Sequence, residues 1–355
     1  MTKLPIQLKF MRMAALFSLS LGLIMTACSK KDSPPPVVKT SLQVAIDSAQ
    51  LYYSTTVEGS KPGEYVVGSR TALKGVIDAA NAVLAASTST QEEITNAAAQ
   101  VVAAIATFKT NFINEIAAVN LIGFWKFNGN ASDSSGNGNN GTVTVGHAYY
   151  GAGTPTLTVD RFGRSDKAYH FDKGGNVEVP YVASLNPQQM SISLWCKKDT
   201  AGRLINTDTY TLFAMNRWNG YKLQYQSANK IFYTVKGVVG TDTAYYDRDD
   251  VTAVLDNEVW YHVIVTYKAG EMNFYINGDL VKSWTDTPNP PITLSTPVNI
   301  TIGQDLPTNK YLVVDGDFQV AWGGFFTGDI DDVMFYNIVL TAPQVQSIYT
   351  NQKTL

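Results

Sequence analysis

One change of rhythm governs what this chain can fold into. Between Thr40 and Ala118 apolar side chains recur every three or four residues, whereas from Asn120 onward they come in short alternating runs closed by glycine and asparagine. The first period is that of an α-helix and the second that of a β-strand, so the two halves cannot share one layer. Composition shifts at the same point: residues 40–118 are rich in alanine with two phenylalanines and no tryptophan, and all six tryptophans lie beyond Asn120. Two folded units are therefore expected, residues 40–118 helical and residues 120–352 all-β.

In the helical unit Leu42, Ala45, Ile46, Ala49 and Tyr53 lie on one stripe, as do Leu73, Val76, Ile77, Ala80 and Leu84. Ile94, Ala98, Val101, Val102, Ile105 and Phe108 form a third. Breaks fall at Gly59 to Gly63, which contains Pro62, and at Ser87 to Thr90, where Thr90 and Glu93 have capping-box spacing. Three antiparallel helices in a small bundle follow. This layout resembles the FIVAR-type helical modules found beside carbohydrate-active domains, which implies a spacer or a weak glycan contact.

Strand-like runs fill the second unit: Leu121 to Phe127, Ala168 to Asp172, Met190 to Cys196, Trp260 to Tyr267 and Met272 to Asn277. Asn277-Gly278 is a two-residue hairpin signal, and Asn128 to Gly141 reads as a loop or a series of tight turns. An antiparallel β-sandwich is the architecture such a segment supports. These runs, with Gly328-Asp-Ile-Asp-Asp-Val-Met-Phe-Tyr near the end, resemble in order the concanavalin A-like, laminin-G type jelly roll. The resemblance implies two curved sheets face to face, first and last strands adjacent, and a short helix near Ala342 to Tyr349. It leaves the ligand open, because this fold serves lectins, glycosidases and adhesion modules alike.

The amino terminus reads as an export signal over residues 1–27. Lys3, Lys9 and Arg12 form a basic region, an apolar run extends from Met13 to Met25, and Thr26 and Ala27 precede Cys28. The apolar run is about two thirds of the roughly 20 residues that span a bilayer, which disfavours a transmembrane helix. Cys28 sits where lipobox chemistry attaches lipid, so the protein is expected at an outer membrane or cell surface, anchored rather than embedded. A proline-rich linker, residues 28–39, follows. Loss of three cations with the signal takes the formal charge from -3 to -6, which argues against nucleic acid as a partner.

Catalytic signatures are weak. Retaining glycosidases set two carboxylates about 5 Å apart, yet the sandwich segment holds three scattered glutamates, Glu178, Glu258 and Glu271. His147, His170 and His262 fall in separate runs with no nucleophile elbow, and Cys196, alternating with Ile192 and Leu194, reads as a buried hydrophobe. A non-catalytic carbohydrate-binding lipoprotein is the expected function. The alternatives are a protein-binding adhesion module and a cryptic glycoside hydrolase.

Sugar rings stack on aromatic faces flanked by amides and charged groups. Trp125, Trp195 and Trp260 match framework runs, whereas Trp218, Trp284 and Trp322 lie in loop-like stretches. With Arg217, Asn219, Tyr221 and Tyr246 they make up the candidate glycan site. Asn128, Asn130 and Asp133 in the early loop, with Asp331 or Asp332, are candidate ligands for a structural calcium ion of the kind the laminin-G resemblance implies.

Overall fold

A computed structural model describes residues 36–199, 210–239, 242–249, 253–287, 292, 297–311 and 323–354. Cys28 and Trp322 lie outside the described residues.

Helices α1 (Thr40–Thr55), α2 (Ser69–Ala85) and α3 (Gln91–Thr110) pack around Leu42, Ile46, Ala49, Leu73, Ile77, Ile94, Val101, Ile105 and Phe108. Thr90 and Glu93 form the anticipated capping box: Glu93 N–H donates to Thr90 Oγ1 (3.2 Å) and Thr90 N–H to Glu93 Oε2 (2.8 Å). Val102, placed on the third stripe by its spacing, is 60% exposed, and Ala97 is buried on α3. Between α1 and α2 lie two short parallel strands, β1 (Glu58–Gly59) and β2 (Tyr65–Val66). No helix among the described residues is long and apolar enough to cross a membrane.

The second unit is a sandwich of two antiparallel sheets. In chain order its strands are β3 (Leu121–Trp125), β4 (Thr142–Thr144), β5 (Thr156–Thr158), β6 (Ala168–Phe171), β7 (Asn176–Val179), β8 (Met190–Lys198), β9 (Tyr210–Met215) and β10 (Tyr221–Gln226). They continue with β11 (Lys230–Val239), β12 (Asp242–Asp249), β13 (Trp260–Lys268), β14 (Glu271–Ile276), β15 (Asp279–Trp284), β16 (Ile300–Ile302) and β17 (Gly328–Tyr336). One sheet has the order β12-β11-β10-β9-β16-β7-β4, the other β15-β14-β13-β8-β17-β6-β5, and β3 pairs with β17. First and last strands are thus neighbours, with Trp125 opposite Val333.

Alternation decides which side chains meet between the sheets. On β10 Tyr221, Leu223 and Tyr225 point inward, as do Ile192, Leu194 and Cys196 on β8. The Asn277-Gly278 hairpin joins β14 to β15 with both residues at positive φ (52° and 87°), as a type I′ turn requires. Gly303 has φ +89° and lies where a Cβ would come within 2.4 Å of the Phe171 ring, so only glycine fits there.

Helix α4 (Ala342–Gln352) covers the outer face of the eight-stranded sheet, where its Val345 and the preceding Leu340 cluster with Ile264, Tyr275, Met334 and Tyr336. The helical bundle docks in turn on α4. Ser347 Oγ and Asn351 Nδ2 donate to the Ser60 carbonyl (2.5 and 3.0 Å), and Gln344 Nε2 donates to that of Asn114 (3.3 Å). The bundle is therefore seated on the sandwich rather than strung from it.

Candidate functional site

With one face of each sheet committed to the core and α4 on the back of the eight-stranded sheet, the outer face of the seven-stranded sheet remains for function. The ladder registers place Asp247, Thr234, Lys222, Ala214, Thr301 and Glu178 in one row across it. Asp249, Phe232, Gln224 and Thr211 make the neighbouring row.

This face is polar yet walled in. Lys222, Gln224, Thr211, Thr234 and Lys236 are all buried. Thr234 Oγ1 donates to Asp247 Oδ1 (2.6 Å), and Lys236 Nζ to Asn219 Oδ1 (2.9 Å) while lying 5.4 Å from the Tyr245 ring centre. Gln224 Oε1 and Thr211 Oγ1 have no hydrogen-bond partner among the described residues. The Lys222 ammonium sits 5.1 Å from the Trp218 ring centre and 6.0 Å from that of Phe232. Burial lowers its amine to about 8, with Asp305 pulling the other way.

The turn between β9 and β10 builds the rim. Asn216 and Arg217 are both left-handed (φ 60° and 50°), which swings Trp218 out to a half-exposed position above Lys222. Arg217 is buried: its Nε donates to Asp305 Oδ2 (2.6 Å), Nη2 to Oδ1 (3.3 Å), and its guanidinium packs 5.3 Å from the Trp218 ring centre. Burial works against its charge, but Asp305 outweighs it and the pKa rises. Tyr311 donates to the same carboxylate. Arg217 therefore holds the rim in place.

Of the residues singled out in sequence, Trp218, Arg217 and Asn219 share this rim. Tyr221 does not join them. It is the first residue of β10 and points into the core, donating to the Leu185 carbonyl (2.5 Å). Tyr246 pairs with Val235 and packs against the core, so the period of two leaves Tyr245, 50% exposed, on the outer face. Trp284 belongs to β15 of the other sheet, edge-on to Phe274 at 4.8 Å, and cannot form one platform with Trp218. Lys222, Gln224 and Thr211 went unnoticed in sequence, although Tyr-Lys-Leu-Gln-Tyr-Gln alternates strictly.

The candidate calcium ligands are engaged by other groups of the protein. Asp133 already accepts four hydrogen bonds, from Phe124 N–H (2.9 Å), Ser135 N–H and Oγ (both 2.8 Å) and Asn139 N–H (3.0 Å). Asn130 Oδ1 accepts from Ser132 N–H (2.9 Å), and Asn128 is exposed. Asp331 and Asp332 both accept from Arg161, whose guanidinium occupies the position of positive charge beside them. Among the described residues no group of three His, Cys, Asp or Glu side chains is placed to hold a metal ion.

On the candidate face Asp247 and Glu178 are five ladder steps from each other, about 24 Å at roughly 4.8 Å per step, whereas Asp247 and Asp249 are two residues apart on the edge strand β12, about 7 Å along it, and both are exposed. Glu178 accepts from Thr308 N–H (2.9 Å), and Glu271 pairs with Lys268 (2.9 Å). On the eight-stranded sheet a second charged row holds His170, Asp329, Lys197 and Trp260. Asp329 bridges His170 Nδ1 (2.8 Å) and Lys197 Nζ (2.7 Å) and raises the histidine pKa. His262 is buried against Ser193 and pushed down to about 3.

Residues 171–346 match a laminin-G-type family model described as the concanavalin A-like lectin/glucanases superfamily. No curated protein matches the chain significantly. Among solved structures, domain 4 of an extracellular GH43 arabinanase from Geobacillus stearothermophilus, in complex with arabinotriose, is similar at 22% identity and a TM-score of 0.44, over 65% of this chain and 98% of that domain. The binding domain of paraclostridial mosquitocidal protein 1 is similar at 16% identity and a TM-score of 0.48, over 67% of this chain. The receptor-binding domain of botulinum neurotoxin mosaic serotype C/D is similar at 18% and 0.46, also over 67%. This chain spans 53% and 52% of those two toxin domains.

Proposed function

We propose that this concanavalin A-like sandwich is a non-catalytic carbohydrate-binding module, tethered outside the cell by lipid on Cys28, with its ligand seated on the outer face of the seven-stranded sheet. One observation carries the reading: on a face that is not the core, Gln224 Oε1 and Thr211 Oγ1 are buried without a partner among the described residues, in the row next to Lys222, whose ammonium lies 5.1 Å from the ring centre of the half-exposed Trp218. Each such group costs about 1–3 kcal/mol. Sugar hydroxyls would satisfy both while the indole covers an apolar sugar face. The three-helix unit, read as a FIVAR-type spacer, fixes the sandwich's orientation through its seat on α4.

The test is titration of the full chain, in detergent, against a panel of plant, host and microbial polysaccharides. Trp218→Ala is expected to weaken the bound polysaccharide about tenfold, or ~1.4 kcal/mol, and Gln224→Leu to weaken it without lowering Tm. Silence across the panel, or unchanged affinity in both variants, refutes the carbohydrate reading.

A further inference from the structure

Lys222 stands at the centre of the polar row, 3% exposed, and its ammonium is the one buried charge of that patch without a hydrogen-bonding partner among the described residues, the other unpartnered charge being the exposed Asp249 at the sheet edge. Its contacts are the Trp218 and Phe232 rings. The two carboxylates that act on it from a distance are both committed elsewhere, Asp247 to Thr234 and Asp305 to Arg217 and Tyr311. The other nearby cation, Lys236, is spent on Asn219.

An ammonium held beside aromatic rings, with little contact with solvent and no acceptor among the described residues, loses most of its hydration, and folds keep such a group only where something offsets the loss. Cation–π contact recovers part of it. Two residues along β10, Gln224 presents its unpartnered Oε1 from the same face, so donor and acceptor stand side by side on one strand. That pairing suits a ligand offering an anionic oxygen to Lys222 and a hydroxyl to Gln224.

We propose that the glycan bound on this face is anionic, a sugar bearing a carboxylate or a sulfate, and that Lys222 is the residue that selects it. The inference rests on the carbohydrate reading above and narrows its ligand class. Burial leaves the amine largely protonated at neutral pH, since its pKa lies near 8, so it is charged when the ligand arrives. The incoming anion replaces the missing acceptor and raises that pKa.

Calorimetric titration of the full chain with matched polymers tests this. Polygalacturonate is compared with its carboxyl-reduced counterpart, and dextran sulfate with dextran, which separates carboxylate from sulfate recognition. At least one anionic polymer is expected to bind tenfold or more tightly than its neutral partner, and Lys222→Met to erase that preference while leaving Tm unchanged or raised. Equal affinity for charged and neutral partners overturns the charge selection and leaves the carbohydrate reading intact. A preference that survives in Lys222→Met and in Lys222→Gln overturns the role of this amine. Absence of binding to every polysaccharide, including those of the wider panel, overturns both.

Discussion

Replacing Asp133 by alanine separates two accounts of the loop between β3 and β4. Its carboxylate accepts four hydrogen bonds, and two of these reach across the loop to Phe124 and Asn139, at opposite ends of the turn series. Phe124 lies in β3, which pairs with β17, and Asn139 follows through by accepting the Trp125 indole N–H on its carbonyl (2.8 Å). Removing the carboxylate strands these donors. Hydrogen bonds to charged acceptors contribute about 1.5–3 kcal/mol each, but Asp133 is half-exposed and the four act as a unit, so a total of about 2–4 kcal/mol is the reasonable sum. For a domain of this size that lowers Tm by about 4–16 °C.

Tryptophan fluorescence is the assay, because all six tryptophans lie in the sandwich segment and the helical bundle is silent. Burial pushes the Asp133 carboxyl upward, yet the hydrogen bonds from Ser135, Phe124 and Asn139 outweigh it and hold the pKa below the usual range. The stabilisation is therefore present in full above the ordinary aspartate pKa and is lost as pH falls through the lower folded value. The Asp133→Ala penalty should be constant from pH 5 to 8 and shrink in stronger acid. Wild-type Tm should not respond to chelator. If chelator lowers the wild-type Tm as far as the substitution does, a bound cation braces the loop and the hydrogen-bond account is wrong.

Two further outcomes concern buried ionisable groups. Burial and the adjoining Asp332 carboxylate push Asp331 well above the usual carboxylate range, against the pull of Arg161, and Asp329 raises His170. Both folded values exceed the unfolded ones, so wild-type Tm should fall from pH 5 to pH 8. Asp331→Asn should flatten that decline, and a wild-type Tm that is level or rising would contradict the assignment. Cys196 is fully buried against the Tyr225 hydroxyl (3.3 Å) and its thiol is pushed up to about 12. A thiol reagent at pH 8 should leave it untouched in the native protein and label it once the sandwich is unfolded; rapid native labelling would show that the core opens locally.

Much of the fold was legible because its signals are local. Helical stripes, the Thr90–Glu93 cap and the Asn277-Gly278 turn each depend on residues within one or two turns of each other, and each forms as read except that Val102 faces outward from the third stripe. Tyr221 and Tyr246 were misplaced for the same reason in reverse. A loop-like neighbourhood suggested exposure, but the phase of β10 and β12 against their partners turned both rings toward the core and left Lys222, Gln224 and Tyr245 outside.

The sequence by itself determined a helical segment followed by a β segment and the alternation within its clearest strands, since periods of 3.6 and 2 need no knowledge of distant chain. Tertiary structure alone decided the candidate site. Lys222 acquires its meaning from Trp218, Phe232 and the prior commitment of Asp247 and Asp305, and Arg161 meets Asp331 across 170 residues of chain. Whether a polar side chain is solvated, satisfied or stranded depends on which strands lie beside it and what those neighbours already bind, and strand order is set by long-range pairing that no local spacing encodes.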